Sequence, residues 1–185
     1  MKVDLGAKAM LYPMPAVLVA AYDENGVPNA MVAAWASVAD VDGVAIYLEH
    51  SHKTMANILK TGAFTVSIVD AEHMAQADYL GIVSGTKVPD KLERAGLNTE
   101  KSRYVDAPVI TQLPLVLECS FVSFDPESEL LIGRVVNTAA EEGVLTNGKV
   151  DPMKLRPLVY DPMNRAYHVI GEKVGDAYCS GKALI

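Results

Sequence analysis

Cysteine is scarce in this chain: Cys119 and Cys179 are the only two among 185 residues. They form no CxxC pair, so neither a zinc ribbon nor an iron–sulfur cluster is signalled. Two isolated thiols read as reduced side chains in a reducing compartment. Basic charge is also short. Lys and Arg total 16 against 23 Asp and Glu, a formal net charge of −7. Wrapping nucleic acid needs a basic face, so no such partner is expected; a local basic pocket for one small phosphate stays compatible. Long apolar runs are missing as well. Met10 to Tyr22 is apolar but interrupted by Pro13 and Pro15, too short and broken for a membrane span and without a signal-peptide layout. The expectation is a cytoplasmic protein without a membrane partner.

Familiar catalytic signatures are absent too. There is no G-x-G-x-x-G after a strand, no Walker A loop, no HExxH and no G-x-S-x-G, which removes the usual nucleotide, zinc-protease and serine-hydrolase readings. No catalytic residue is assigned. What is present is an ordinary globular chain, half hydrophobic and about a fifth charged, of a length that suits one domain over residues 1–185. No internal repeat, low-complexity tract or long linker divides it.

The pattern begins with strands. Ala16–Tyr22 is a β-rich run, Asp23-Glu24-Asn25-Gly26 is a turn, and Asn29–Ser37 reads as the return strand of a hairpin. Val44–Leu48 is a third strand. Met55, Ile58 and Leu59 then recur at helical spacing, with Thr54 as the expected N-cap and Gly62 just past the end. Phe64, Val66 and Ile68 alternate in a strand. Asp70 is expected to cap a helix ending near Ser84-Gly85, and Asp90–Ala95 a helical turn closed by Gly96. Leu115, Leu117, Cys119 and Phe121 share one strand face, Leu130–Thr138 pairs back onto it, Glu141–Pro157 holds one helical turn, and Tyr167–Gly171 is the last strand. Strands, a helical interruption, then more strands predict a closed or nearly closed antiparallel barrel with rim helices.

A few segments could carry chemistry. Ser51-His52-Lys53-Thr54 opens a helix after a strand, and a helix start offers unpaired N–H groups and a positive dipole end to a phosphate. Taken alone, a plain N-cap beside two solvated basic neighbours is the stronger reading of this segment. His50 and His52 beside Glu49 would share a strand face, but no third ligand is placed, so no metal is expected. His168 lies in an apolar run and reads as a satisfied structural histidine. Trp35, the only tryptophan, reads first as core. Its neighbours Ala33, Ala34, Ala36 and Ser37 are small enough to let a flat ligand approach the backbone. Ser84-Gly85-Thr86-Lys87 is a second small, donor-rich loop with one cation.

Taken in order, these segments resemble the flavin reductase-like family of FMN-binding split barrels, in particular its flavoredoxin-type members. The likeness rests on Pro13-Met14-Pro15 leading into Val17–Ala21; on Asn29, Ala30 and Ala33-Ala34-Trp35; and on Lys53-Thr54-Met55-Ala56-Asn57-Ile58 before Gly62-Ala63-Phe64-Thr65-Val66-Ser67. Gly96-Leu97, Ala107-Pro108, Leu117-Glu118-Cys119 and Leu131-Ile132-Gly133-Arg134-Val135 follow. The resemblance implies a mainly β fold: a six-stranded antiparallel Greek-key split barrel with a few short rim helices, homodimeric, with FMN near the subunit interface. Carried onto this chain, Ala33, Ala34, Trp35, Ala36 and Ser37 would line the isoalloxazine. Ser51, His52, Lys53 and Thr54, with Asn57 one turn on, would hold the phosphate side. Ser84, Gly85 and Lys87 would be a second contact region. A cofactor that itself accepts electrons would explain why no acid–base pair is evident.

The resemblance implies an FMN-dependent oxidoreductase that passes electrons from NADH or NADPH to a flavin or a redox protein. Two departures favour a second reading. Many flavin reductases of this group carry Gly-Asp-His, associated with nicotinamide binding, before the Leu-x-x-Gly-x-Val strand; here Glu127-Ser128-Glu129 precedes Leu130. A Pro-Pro pair common after the Trp segment is replaced by Asp40-Val41-Asp42-Gly43. The second reading is therefore a flavoredoxin-type electron carrier that reacts poorly with NAD(P)H, and a third is a cofactor-free binding barrel. The mean hydropathy of +0.17 is high for a small monomer, in keeping with the implied homodimer. Sedimentation equilibrium at micromolar concentration should return twice the 19.9 kDa chain mass; a monomer alone would contradict the expectation.

Overall fold

The structure, a computed structural model, describes all 185 residues, Met1–Ile185. Its main elements are β1 (Val17–Tyr22), β2 (Pro28–Ala33), β3 (Ala36–Asp40), β4 (Gly43–Tyr47), α1 (Lys53–Thr61), β5 (Ala63–Ile68), α2 (Met74–Ile82), α3 (Lys91–Arg94), β6 (Leu115–Asp125) and β7 (Leu130–Ala140). The seven strands form one antiparallel sheet in the order β2-β1-β5-β6-β7-β4-β3. Strands β2 and β3 stand at opposite edges of that sheet, yet only Ala34 and Trp35 separate them in the chain. Three Cα steps span at most about 11 Å. The end of β2 and the start of β3 must therefore lie close together, and the sheet curls into a split barrel. The apolar run expected as one strand to Ser37 is really two edge strands, which makes the sheet seven-stranded rather than six-stranded.

Two cores follow from the alternation of side chains along β1. Val17, Val19 and Ala21 point into the barrel, against Ile46, Met55, Ile58, Phe64, Val66, Cys119 and Leu131. Ala16, just before β1, and then Leu18 and Ala20 point outward, under Leu80, Leu92, Leu97, Ile110 and Leu113. A strand buried on both faces needs an uninterrupted apolar sequence, which is what Val17–Ala21 supplies. Phe64 is fully buried in the inner core. It lies over Gly133, where a Cβ would come within 2.3 Å of the Phe64 ring. The β6–β7 register shifts between Ile132 and Gly133, so a bulge sits at this close approach.

Helix α1 closes one end of the barrel by burying Met55 and Ile58. Its N-cap is His52, with extended backbone and no side-chain cap bond. Thr54, the expected cap, is fully buried and accepts a hydrogen bond from Asn29 Nδ2 at 2.7 Å. Gly62 ends the helix in the left-handed region at φ 71°, its N–H bonded to the Ile58 carbonyl. Such a residue costs glycine nothing in steric strain. Asp70 holds the turn before α2, accepting from the His73 N–H at 3.0 Å and lying 2.7 Å from His73 Nδ1.

Several expectations are corrected outside the barrel. The last strand, Ala166–Val169, joins Leu158–Asp161 and Met14–Pro15 in a separate three-stranded sheet. His168 is exposed, 3.8 Å from Asp161. Residues 141–157 hold two short helical turns, Glu142–Val144 and Pro152–Leu155, rather than one. Cys119 is buried and Cys179 exposed, both as free thiols. Burial, and then the neighbouring Glu118 carboxylate, push the Cys119 thiol up to about 12.

The Phe64–Gly133 contact yields a test. Gly133→Ala should destabilise the chain by roughly 1–3 kcal/mol through overpacking. Gly143→Ala, whose Cβ meets nothing within 4 Å, should change stability by no more than about 0.5 kcal/mol. Urea midpoints of the two variants check the difference; equal midpoints would contradict it.

Candidate functional site

The start of α1 is the natural place to look for chemistry. The N–H groups of Lys53, Thr54 and Met55 precede the first intrahelical bond, from Ala56 N to His52 O at 3.1 Å, and no side chain of the N-cap satisfies them. They sit at the positive end of the helix dipole. Lys53 adds a full charge and is held 3.3 Å from Asp23 Oδ2. Asp23 itself closes the β1–β2 turn, accepting from the Asn25 and Val27 N–H groups at 2.9 Å each. The Val27 N–H, then the Asn25 N–H and the Lys53 ammonium, hold its carboxyl below the usual range against partial desolvation. Lys53 is thus tethered to an ionised carboxylate on a rigid turn.

Two further segments converge on this point. Asn29, buried in β2, bonds Thr54 through Nδ2. A Cβ placed on Gly85 would come within 2.0 Å of Asn29 Oδ1 and 3.4 Å of Lys53 Cδ. Only glycine lets the Ser84–Lys87 loop lie this close to the helix start. The loop is a turn in which the Ser84 carbonyl accepts from Lys87 and Val88 N–H groups at 3.0 and 2.9 Å, leaving the Ser84 and Lys87 side chains exposed. Behind it lies Lys91, only 2 % exposed. Its ammonium donates to the Leu80 and Val83 carbonyls at 3.1 and 3.0 Å, pinning the end of α2 from which the loop departs.

A concavity of about 360 Å³ adjoins the helix start, walled by Met31–Trp35, by Tyr47–Glu49 with His52, and by Ser128-Glu129. That volume falls in the ~300–1,000 Å³ range of small-molecule sites. Trp35 is 60 % exposed, not core, and stands edge-on to Tyr47 with ring centroids 6.4 Å apart. A second concavity, about 350 Å³, lies on its other side and takes Ala36 and Ser37. His52 Nδ1 is buried without a partner in the chain. The arrangement offers donors for an anion at one end and small side chains for a flat ring at the other.

The structure therefore brings Ala33, Ala34, Trp35, His52, Lys53 and Gly85 into one continuous region. Thr54 and Asn57 turn inward: Asn57 is buried and donates to the Ala21 carbonyl at 3.4 Å. Ser51 is exposed on the turn before α1. His50 and His52 also belong to that turn, not to a strand face, and no cluster of three or more His, Cys, Asp or Glu is placed to hold a metal. Asn29, Asp23, Tyr47, Glu49 and Glu129 were not expected here. A buried Asn in an apolar strand was the one available signal among them.

Comparison with known proteins adds a family. The sequence matches the family model described as flavin reductase like domain over residues 9–171. The flavoredoxin of Desulfovibrio vulgaris (Miyazaki F) superposes with a TM-score of 0.93 at 33 % identity, over 98 % of this chain and 100 % of that one. The flavoredoxin from Methanosarcina acetivorans gives 0.90 at 28 % identity, over 100 % of both chains. A protein of Aeropyrum pernix is 29 % identical over 115 residues, covering 61 % of this chain; the match spans 43 % of that relative's length.

Lys91 supplies a prediction for the loop's anchor. Desolvation pushes its ammonium from 10.5 down to about 8. Between those values the unfolded chain binds a proton that the folded chain does not, so this lysine's contribution to stability rises with pH across the window and is lost as pH falls through 8. Lys91→Met should be destabilised at all pH values by the two unpaired carbonyls. The gap between wild type and variant should also widen from pH 7.5 to pH 10. Urea unfolding of both proteins at the two pH values measures it; a constant gap would contradict the burial argument.

Proposed function

The chain belongs to the flavin reductase-like domain family, and we propose from that premise that it holds FMN non-covalently and serves as a flavoredoxin-type electron-transfer protein. The observation that carries the proposal is the convergence at the start of α1. The Lys53, Thr54 and Met55 N–H groups, the Lys53 ammonium and the Gly85 loop leave one place for a phosphate. The fit extends to the ring. Ala33 and Ala34 put backbone within reach of a flat heterocycle, Trp35 walls the same concavity, and the unpartnered His52 Nδ1 lies beside it. When bound, FMN supplies reversible uptake and release of electrons.

In this reading each side chain has a task in binding or positioning. Asp23 aims Lys53, Asn29 locks Thr54 so that the first turn of α1 stays uncapped and open, and Lys91 fixes the loop behind Gly85. Trp35 leaves the ring side accessible to a partner. No helix is long and apolar enough to cross a membrane; a reducing, cytoplasmic setting and a homodimer belong to the same proposal, as does a redox protein as partner.

Reduction by NAD(P)H is the competing reading, and charge argues against it. The concavity beside Trp35 carries Glu49 and Glu129 and no Lys or Arg. A nicotinamide dinucleotide brings at least two phosphate charges. Each carboxylate–phosphate pair at 4 Å opposes it by about 1 kcal/mol in water, and by about 4 at an effective dielectric of 20. The 33 % identity with a flavoredoxin across nearly the whole chain points the same way.

One set of titrations tests the proposal. Lys53→Ala should weaken FMN by roughly 10- to 100-fold, the worth of a hydrogen bond to a charged group, while riboflavin, which lacks the phosphate, binds almost as before. Equal weakening of both ligands, or of neither, would move the phosphate away from this helix start. In the FMN-loaded wild type, anaerobic NADH and then NADPH should bleach the flavin far more slowly than the ~10 s⁻¹ median turnover of enzymes. Bleaching at that rate or above would establish the reductase reading instead.

A further inference from the structure

We propose that the outer face of β6 and β7 carries a second ligand site, for a small molecule that bears both an ammonium and a carboxylate group. A concavity of about 430 Å³ lies there, walled by Val116 and Glu118 of β6, by Asn137 and Thr138 of β7 and by Glu100–Tyr104. It shares no residue with the concavities beside Trp35. Two opposite charges border it, and neither is in an ion pair. Glu118 is only 4 % exposed, and its carboxylate accepts solely from neutral groups, the Ser102 hydroxyl and Asn137 Nδ2, the latter at 2.7 Å. Arg103 is exposed and pairs with no carboxylate. The other cation of the wall, Lys101, is taken by Asp106 at 2.8 Å, and Glu100 is exposed on the same short strand as Lys101.

The strands themselves build this wall. Leu117 and Cys119 pack into the inner core, so Val116 and Glu118 face outward. Val135 also packs inward, and strict alternation would turn Asn137 inward as well. The β6–β7 register shifts between Val135 and Asn137. This second bulge makes Val136 the extra residue and turns Asn137 out to Glu118. On the facing segment Ser102 is buried, and its Oγ accepts from the Tyr104 and Val105 N–H groups at 3.0 Å each. Its hydroxyl hydrogen is thereby left for Glu118. Further along, the Pro108 carbonyl accepts from the Thr65 hydroxyl of β5 at 2.6 Å. The segment bearing Arg103 is therefore fastened to the barrel on both sides.

The charges decide what fits. A carboxylate offers about four acceptor positions, and two of those on Glu118 are used. Burying an ionised carboxylate beside neutral donors alone is costly, and an ammonium donating to the free positions would offset that cost. A ligand with an ammonium alone would meet Arg103 as a like charge, and one with a carboxylate alone would meet Glu118 and Glu100. A molecule carrying both charges satisfies Glu118 with one end and Arg103 with the other, since the planar guanidinium fork suits a carboxylate. Val109 and Tyr104 add apolar wall for a methylene spacer. Molecules of the amino-acid class have this composition.

The test titrates the full-length chain with glycine, 4-aminobutanoate and 6-aminohexanoate, which hold the two charges at increasing separations. Butylammonium and butanoate serve as single-charge controls, and saturation-transfer NMR reads all five. At least one of the three amino acids should bind saturably and ~10-fold or more tighter than either control, the worth of a hydrogen bond to a charged group. Arg103→Gln, at an exposed position, should weaken that amino acid by ~10-fold or more while butylammonium binds no less well. Glu118→Gln, which keeps the size of the side chain, should weaken the amino acid and butylammonium together. Absence of saturable binding, controls as tight as the amino acids, or an amino-acid titration indifferent to Arg103→Gln would each overturn the proposal. Should Glu118→Gln lower the urea midpoint without changing amino-acid binding, Glu118 is an anchor for the facing segment only, and the proposal falls. None of these readouts involves FMN, so they stand apart from the flavin reading.

Discussion

The two-residue link between β2 and β3 governs the architecture. Those strands lie at opposite edges of a seven-stranded sheet, and Ala34-Trp35 can join them only if the sheet curls enough to bring the end of one close to the start of the other. Closure buries both faces of β1, creates an inner core with Phe64 at its centre and pushes a second core outward under α2 and the loops that follow it. The link itself has no ladder partner on either strand, apart from the bond from Tyr47 N to the Trp35 carbonyl at 2.9 Å. Its side chains are free to face outward, and that is why a large aromatic stands in solvent on an otherwise well-packed barrel.

The same closure assembles the candidate site. The end of β2 delivers Ala33 and Ala34, the end of β4 delivers Tyr47 and Glu49, and the turn leading from β4 delivers His52 and Lys53. These segments are neighbours only because the sheet has curled. The polar groups then divide their work. Asn29 and Thr54 satisfy each other in the interior, which spares the helix start a side-chain cap and leaves three N–H groups unspent. A threonine cap would have been worth about 1 kcal/mol of stability. Its absence is a local inconsistency of the kind expected where a helix start is kept open for a ligand, as proposed here.

Much of this was legible in the residues. The Ala16–Tyr22 run announced a strand, Asp23–Gly26 its turn, and Gly62 the end of α1. The break at Ala34-Trp35 was not legible, because neither Gly nor Pro marks it. The apolar character continues through Ser37 while the pairing partner changes from β1 to β4, and hydrophobic periodicity records burial, not partners. Thr54 misled for a related reason. A hydroxyl at a helix start usually caps, and only the three-dimensional meeting with Asn29 diverts it. Lys91 was invisible as an anchor, since a lysine in a charged helical turn normally lies in solvent. The likeness of ordered segments pointed to the helix start and the Trp35 region. It could not separate Ala36 and Ser37 from Ala33 and Ala34, which required seeing Trp35 stand between them.

Charge placement ties the fold to the chemistry. The chain spends its few cations sparingly near the site: Lys53 at the helix start, Lys87 on the facing loop and Lys91 behind it. On the ring side it sets Glu49 and Glu129 in one cavity and nothing charged in the other. In the proposed reading a phosphate is drawn to one end while polyanionic donors are resisted at the other. A protein meant to strip hydride from a dinucleotide would need cations where these carboxylates stand. A protein meant to exchange electrons with another macromolecule needs only an accessible edge. In the proposed reading the exposed Trp35–Tyr47 pair provides that edge, and no nucleophile–base pair is needed nearby, because the residues would serve to position the cofactor and to discriminate by charge.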